Sequence, residues 1–218
     1  MRRIILSSVS VIAICFAVAL LLTPPRNPAA VDNLSTVLKE QAQRSGGKLR
    51  IVDTSHHAVF YQNMSELIKD SEAIIVGQTV HNRCRLTSDG QSVTTNYDVA
   101  VREVLRGDLN AGETITIGTS GGLHVFDPNT TVFVEVPNFK RPLNGRDYVF
   151  FLSTKTPDGI FPLAAGFQGA FELANVSGVV PSDDRPTATL ARNVEGGDPA
   201  AFLKRIRDEV KRSHLSKD

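Results

Sequence analysis

Polar and apolar positions alternate most cleanly between Ser92 and Leu105. Val93, Thr95, Tyr97, Val99, Val101 and Glu103 share one parity there, and Thr94, Asn96, Asp98, Ala100 and Arg102 the other. A period of two marks a half-buried strand. Arg106 to Gly112 reads as a turn, and Thr114-Ile115-Thr116-Ile117 alternates again, which predicts an antiparallel partner. Upstream, Asn63 or Ser65 can cap a short helix over Glu66 to Asp70, followed by the unbroken run Ala73-Ile74-Ile75-Val76-Gly77. Such a run, rich in β-branched residues, predicts a core strand. Downstream, Val132 to Val136 stops at Pro137, Asn144-Gly145 turns into Asp147 to Leu152, and Thr156 to Gly159 turns into Ile160-Phe161, with Gly169 to Leu173 last. Short strands separated by turn signals predict a mainly β body, a barrel or sandwich, and argue against βαβ units.

The ends follow a different pattern. Behind Asp198-Pro199, a cap followed by a first-turn proline, Phe202, Leu203, Ile206 and Val210 fall on one face of a helix, opposite Lys204, Arg205, Arg207, Asp208, Lys211 and Arg212. A solvated face is the commoner meaning of such a charge run, with contact to anionic lipid as the alternative. At the start, Arg2 and Arg3 precede the uncharged run Ile4 to Leu22, which predicts an export signal. Its length lies between a cleavable signal and a spanning helix, so residues 1–23 are a signal peptide or a signal anchor, with a mature start near Ala30 if cleaved. The arginine asymmetry places the body outside the membrane. Residues 24–62, which include Pro24, Pro25 and Pro28, are expected to form a weakly structured stalk, with a short helix near Leu34 to Leu38 and a short strand at Leu49 to Val52. The barrel is expected over 63–178, a linker over 179–197 and the amphipathic helix over 198–218.

Composition narrows the function. With 24 Lys plus Arg against 23 Asp plus Glu, the chain lacks the basic excess that a nucleic-acid partner requires. Cys84 is the only cysteine outside the apolar run, so no disulfide within the domain can staple the fold.

Several strings resemble a group of bacterial exported proteins that are similar to tissue-inhibitor-of-metalloproteinase and netrin-type modules. They are Glu72-Ala73-Ile74-Ile75-Val76-Gly77-Gln78-Thr79-Val80, then Val99-x-Val101-x-Glu103-Val104-Leu105-Arg106-Gly107-Asp108, then Gly112 to Ile117, Gly121-Gly122 and Leu143 to Leu152. The resemblance covers roughly residues 63–175 and implies an OB-like antiparallel β-barrel. Inhibitors of that kind present an N-terminal, disulfide-tethered cysteine to the zinc of their target. This domain has no such cysteine, so the resemblance implies an extracytoplasmic interaction module and does not carry over that inhibitory chemistry.

Candidate chemistry is sparse. Gly118-Thr119-Ser120-Gly121-Gly122 resembles the nucleophile motif of chymotrypsin-like proteases with Thr119 in place of its acid, and His56, His57 and Asp98 precede it in the matching order. No protease-like context surrounds either histidine, and glycines ending a strand at a wide loop are the simpler reading. His81 and Cys84 stand three apart, but strand geometry turns them to opposite faces, and no second pair completes a metal site. His124 and His214 are dispersed, while Asp183-Asp184 and Asp208-Glu209 are adjacent pairs, not acids spaced across a cleft. No catalytic, cofactor-binding or metal-ligating residue is therefore assigned. The expected function is a membrane-tethered, extracytoplasmic, non-catalytic binding module for an envelope protein or glycan. By OB-fold analogy it would bind around Arg83 to Gln91 and Thr154 to Gly159. The alternatives are a hydrolase using Ser120 or Cys84 and an inhibitor of an envelope protease.

Overall fold

The computed structural model describes residues 37–54, 60–185 and 187–215. Its centre is the hairpin of β2 (Ala73–Leu86) and β3 (Val93–Arg106), each of 14 residues. The alternation of β3 continues on both sides, because β4 (Thr114–Ser120) pairs with it antiparallel and β7 (Asp147–Leu152) pairs with β2. With β8 (Ile160–Pro162), β9 (Ala170–Ala174) and β10 (Gly178–Pro181), these strands form a seven-stranded sheet in the order β10-β9-β7-β2-β3-β4-β8. A second sheet has the order β1-β6-β5, from β1 (Lys48–Val52), β6 (Thr130–Glu135) and β5 (Gly122–Asp127).

The body is mainly β, as the alternation predicts, but it is not one antiparallel barrel. Two pairings, β1 with β6 and β4 with β8, are parallel, and no continuous ladder closes the large sheet on itself. The sheet curls far enough for Leu163 to form a bridge with Leu152, with Ser153 N–H donating to the Pro162 carbonyl and Ala164 N–H to that of Phe151. Inside the curl, one face of β2, β3, β4, β7 and β8 packs together: Ile75, Tyr97, Val99, Ile117, Phe150 and Phe161 all belong to one buried cluster.

The opposite parity of β2, β7, β9 and β10 is apolar too, and helices cover it. Leu67 and Ile68 of α2 (Met64–Asp70), Leu190 and Val194 of α3 (Thr189–Val194), and Phe202, Ile206 and Val210 of α4 (Pro199–Leu215) pack on Ile74, Val149, Phe151 and Phe171. The start of α2 is fixed by Asn63, whose side-chain oxygen accepts from Glu66 N–H at 3.0 Å, while Glu66 accepts from Gln62 N–H at 3.2 Å. The start of α4 is fixed by Asp198, which accepts from Ala201 N–H at 2.7 Å. The polar face of α4 is laced with ion pairs, Lys204 to Asp208, Arg212 to Glu209 and Arg207 to Glu103 of β3.

Three expected boundaries change. Where they are described, residues 24–62 are packed against the body: 37–44 form a helix, α1, which buries Leu38 and Ala42, and β1 adds to β6. Leu38, Ala42, Val93, Val132 and Val134 make a third, small core between α1, the small sheet and the tip of the β2–β3 hairpin. The stretch 179–197, expected as a linker, holds most of β10 and all of α3. Finally, the first core strand does not stop at Gly77 but runs to Leu86 through a bulge between Thr79 and His81, because every residue from His81 to Leu86 finds a partner on β3. The apolar run 4–22 lies outside the described residues; among the described helices none is long and apolar enough to cross a membrane.

All three tyrosines sit in places that oppose ionisation. Burial, with the nearby Glu172 carboxylate, pushes Tyr148 up to about 12, against the opposing hydrogen bond from Leu143 N–H. Burial and a hydrogen bond to Asp70 push Tyr61 up to about 12, and burial raises Tyr97. The unfolded chain therefore loses these protons first, so stability is full below pH 10 and falls as pH rises from about 10 towards 12. The expected result is a lower urea midpoint at about pH 11 than at about pH 9, with tyrosinate absorbance rising on unfolding at the higher pH. A native titration centred at the ordinary tyrosine pKa would refute it.

Candidate functional site

Helices cover only half of the outer surface of the large sheet. On the other half, the outward parity of β2, β3 and β4 is polar: Arg85 pairs with Thr94, Arg83 with Asn96, and His81 with Asp98 across the hairpin. The same row continues into β4, where Ser120 lies opposite Thr94, Gly118 opposite Asn96 and Thr116 opposite Asp98. Ile160 and Pro162 of β8 flank it. Two loops rise at the sides, Thr87-Ser88 after β2 and Thr156 to Asp158 before β8, and together they enclose a groove of about 480 Å³. A second hollow of about 390 Å³ adjoins it over Arg83, Thr116 and Asp158.

Gly118 forms part of this lining. A β-carbon there would come within 2.8 Å of Ile160 Cγ2, so the bare backbone is what lets β8 lie so close along β4. Arg83 is neutralised by Asp98, with Nη2 at 3.2 and 3.1 Å from the two carboxylate oxygens, and Thr116 donates to the same carboxylate at 3.3 Å. Among the described residues, Arg85 and Asp158 have no ion pair. Asn96 is only 8% exposed, lines the groove, and its carboxamide has no hydrogen-bond partner among the described residues.

Of the two candidate nucleophiles, Ser120 lines the groove and Cys84 the adjoining hollow. His56 and His57, the bases that its motif would require, lie outside the described residues. Asp98 is on the same face but held by Arg83. Thr119 points the other way, into the curl, opposite Thr95. The glycines that follow do not open a wide loop as expected: β4 ends at Ser120 and β5 begins at Gly122. Gly121 has φ +79, and a β-carbon on it would meet the Val134 carbonyl at 2.7 Å; one on Gly122 would meet Thr95 Oγ1 at 2.6 Å and Cys84 Sγ at 2.7 Å. This Gly-Gly step carries the chain from the large sheet to the small one at close range.

Cys84 belongs to the small core, its sulfur 3.3 Å from the Thr95 hydroxyl, while His81 is exposed on the opposite face, as strand spacing predicts. His124 sits edge-on to Phe126 with ring centroids 4.6 Å apart. Burial lowers its pKa, opposed by a hydrogen bond to the main chain of Cys84. The adjacent acids are engaged separately: Asp183 with Arg185, Asp184 with Lys140, Asp208 with Lys204 and Glu209 with Arg212. Among the described residues no group of three or more His, Cys, Asp or Glu could hold a metal ion.

The two segments singled out by OB-fold analogy, Arg83 to Gln91 and Thr154 to Gly159, both border the groove. Asn96 was not singled out. Its signal is a polar residue on the outward parity of a central strand, and that becomes informative only once the register shows which half of the sheet the helices leave bare. No model of a known protein family matches the chain, and no curated protein matches it.

Proposed function

We propose that the chain is an exported, non-catalytic binding module, held at the outer side of a membrane by residues 4–22, with the groove on β3, β4 and β8 as its binding site. The body is then an OB-like half-barrel. The circuit β7-β2-β3-β4-β8, with the Leu152–Leu163 bridge leading back to β7, supports that reading.

The observation that carries the binding role is Asn96. No described residue bonds to its carboxamide, which lines the open groove within reach of water. A ligand that donates to and accepts from the carboxamide would take the place of that water, which supports a role for Asn96 in binding and not in folding. The expected result is that Asn96→Leu changes stability by less than about 0.5 kcal/mol in urea melts. A loss of about 1 kcal/mol or more would make the amide structural and remove the argument. Export and tethering are tested by intact mass on membrane fractions: a mass that includes residues 1–23 supports the anchor, and a species starting near Ala30 replaces it with secretion.

Ser120 in the groove wall keeps a hydrolase as the second reading. Fluorophosphonate labelling that disappears in Ser120→Ala would put it first.

A further inference from the structure

We infer that the groove receives an extended polypeptide segment, which lies along the free end of β4 and bonds to it through main-chain groups. This rests on the binding-module reading above and names its ligand class.

The edge of β4 is the starting point. Gly121 N–H donates to the Val93 carbonyl at 2.7 Å, so Gly121 is bonded towards β3. In an antiparallel ladder successive residues alternate between the two sides, so the N–H and C=O of Ser120 point away from β3. On that side β8 has already left: its pairing with β4 ends at Gly118 and Pro162, after which the chain crosses to β7. Among the described residues, no further strand then remains on that side to pair with the main-chain donor and acceptor of Ser120, which borders the groove. Exposed strand edges of this kind are templates for a further strand.

Asn96 supplies the second, independent observation. One carboxamide has the donor and acceptor pattern of a peptide group, and this one is buried, unpartnered and in the same groove. The remaining walls fit side chains: Leu86, Ile160 and Pro162 are apolar, while Arg85 and Asp158 offer one unpaired charge of each sign. A glycan fits less well, because no aromatic ring lines the groove for the flat face of a sugar to cover.

The test selects peptides from a displayed random library against the full chain in detergent, then measures synthetic copies by titration. Soluble chito-oligosaccharides are titrated in parallel. A peptide in this site should lose about tenfold or more in affinity on N-methylation at one residue or at alternate residues, and a similar factor against Asn96→Leu. Its affinity for Val176→Ser, a change at a position 99% exposed, should stay the same. Peptides that bind regardless of N-methylation or of Asn96, or the absence of any peptide binder, would overturn the inference. Asn96-dependent capture of the oligosaccharide alone would overturn the peptide class while leaving the binding module standing. If neither class binds and Asn96→Leu also destabilises the fold, both readings fall.

Discussion

Gly121→Val should detach the small sheet from the large one, at a cost of about 4 kcal/mol. The residue sits at φ +79, where a β-branched side chain is strained, and the added carbon would press on the Val134 carbonyl, Val136 Cγ2 and Arg141 Nη2, all within 2.8 Å. The Val134 carbonyl is part of β6 and cannot swing aside. Arg141 also cannot move without loss, because it donates to that carbonyl at 3.0 Å and reaches Thr95 at 3.5 Å across the seam between the sheets. Hydrogen exchange should show the amides of β5 and β6 losing protection while those of β2, β3 and β7 keep most of theirs. Uniform loss across both sheets would mean that the seam and the large core unfold as one unit. Gly121→Ala should follow the same pattern with a smaller effect.

Phe151→Ala should cost a similar amount, about 4 kcal/mol, by a different route. Phe151 is fully buried on β7, next to the central strand β2, and its ring meets that of Phe171 edge-on at 5.7 Å beneath α2, α3 and α4. Truncation leaves a cavity that the helices can fill only by tilting, so apolar transfer energy and packing are both lost. The expected signature is a lower urea midpoint for the whole domain with an unchanged slope. A change below about 1 kcal/mol would mean that the helical layer contributes little to the fold. Because a domain of this size holds about 5–15 kcal/mol in total, either substitution removes a large share.

Strand β3 and the C-terminal helix are legible in the sequence because each has one buried side and one polar side. Their period reports their environment directly: Tyr97, Val99 and Val101 of β3 face the curl, and Phe202, Ile206 and Val210 face the sheet. The small sheet is not legible in the same way. Leu123, Val125 and Phe133 stand exposed on it, while Val132 and Val134 are buried, so its strands carry apolar residues on both faces and the period fades. The parallel pairing of β1 with β6 joins segments some eighty positions apart, and no local signal announces such a partner. The groove was half visible. Two of its loops lie in segments that the OB-fold analogy names, but the place of Asn96 in its wall depends on a register and on where helices are absent, both of which are tertiary facts.

The way the chain enters the fold has a mechanical consequence. A pull arriving from the N-terminal side meets α1 first and then the five-residue ladder of β1 on β6, which rest on the smallest of the three cores. The interior of the curl and the helix-covered layer lie behind it in the path of force. Under tension α1 and β1 should yield first, lengthening the chain and relieving the load while β3, β4 and β8 stay in place. If the chain is tethered and binds a ligand as proposed, those two elements would act as a fuse, letting the groove keep its grip while the body is drawn away from its point of attachment.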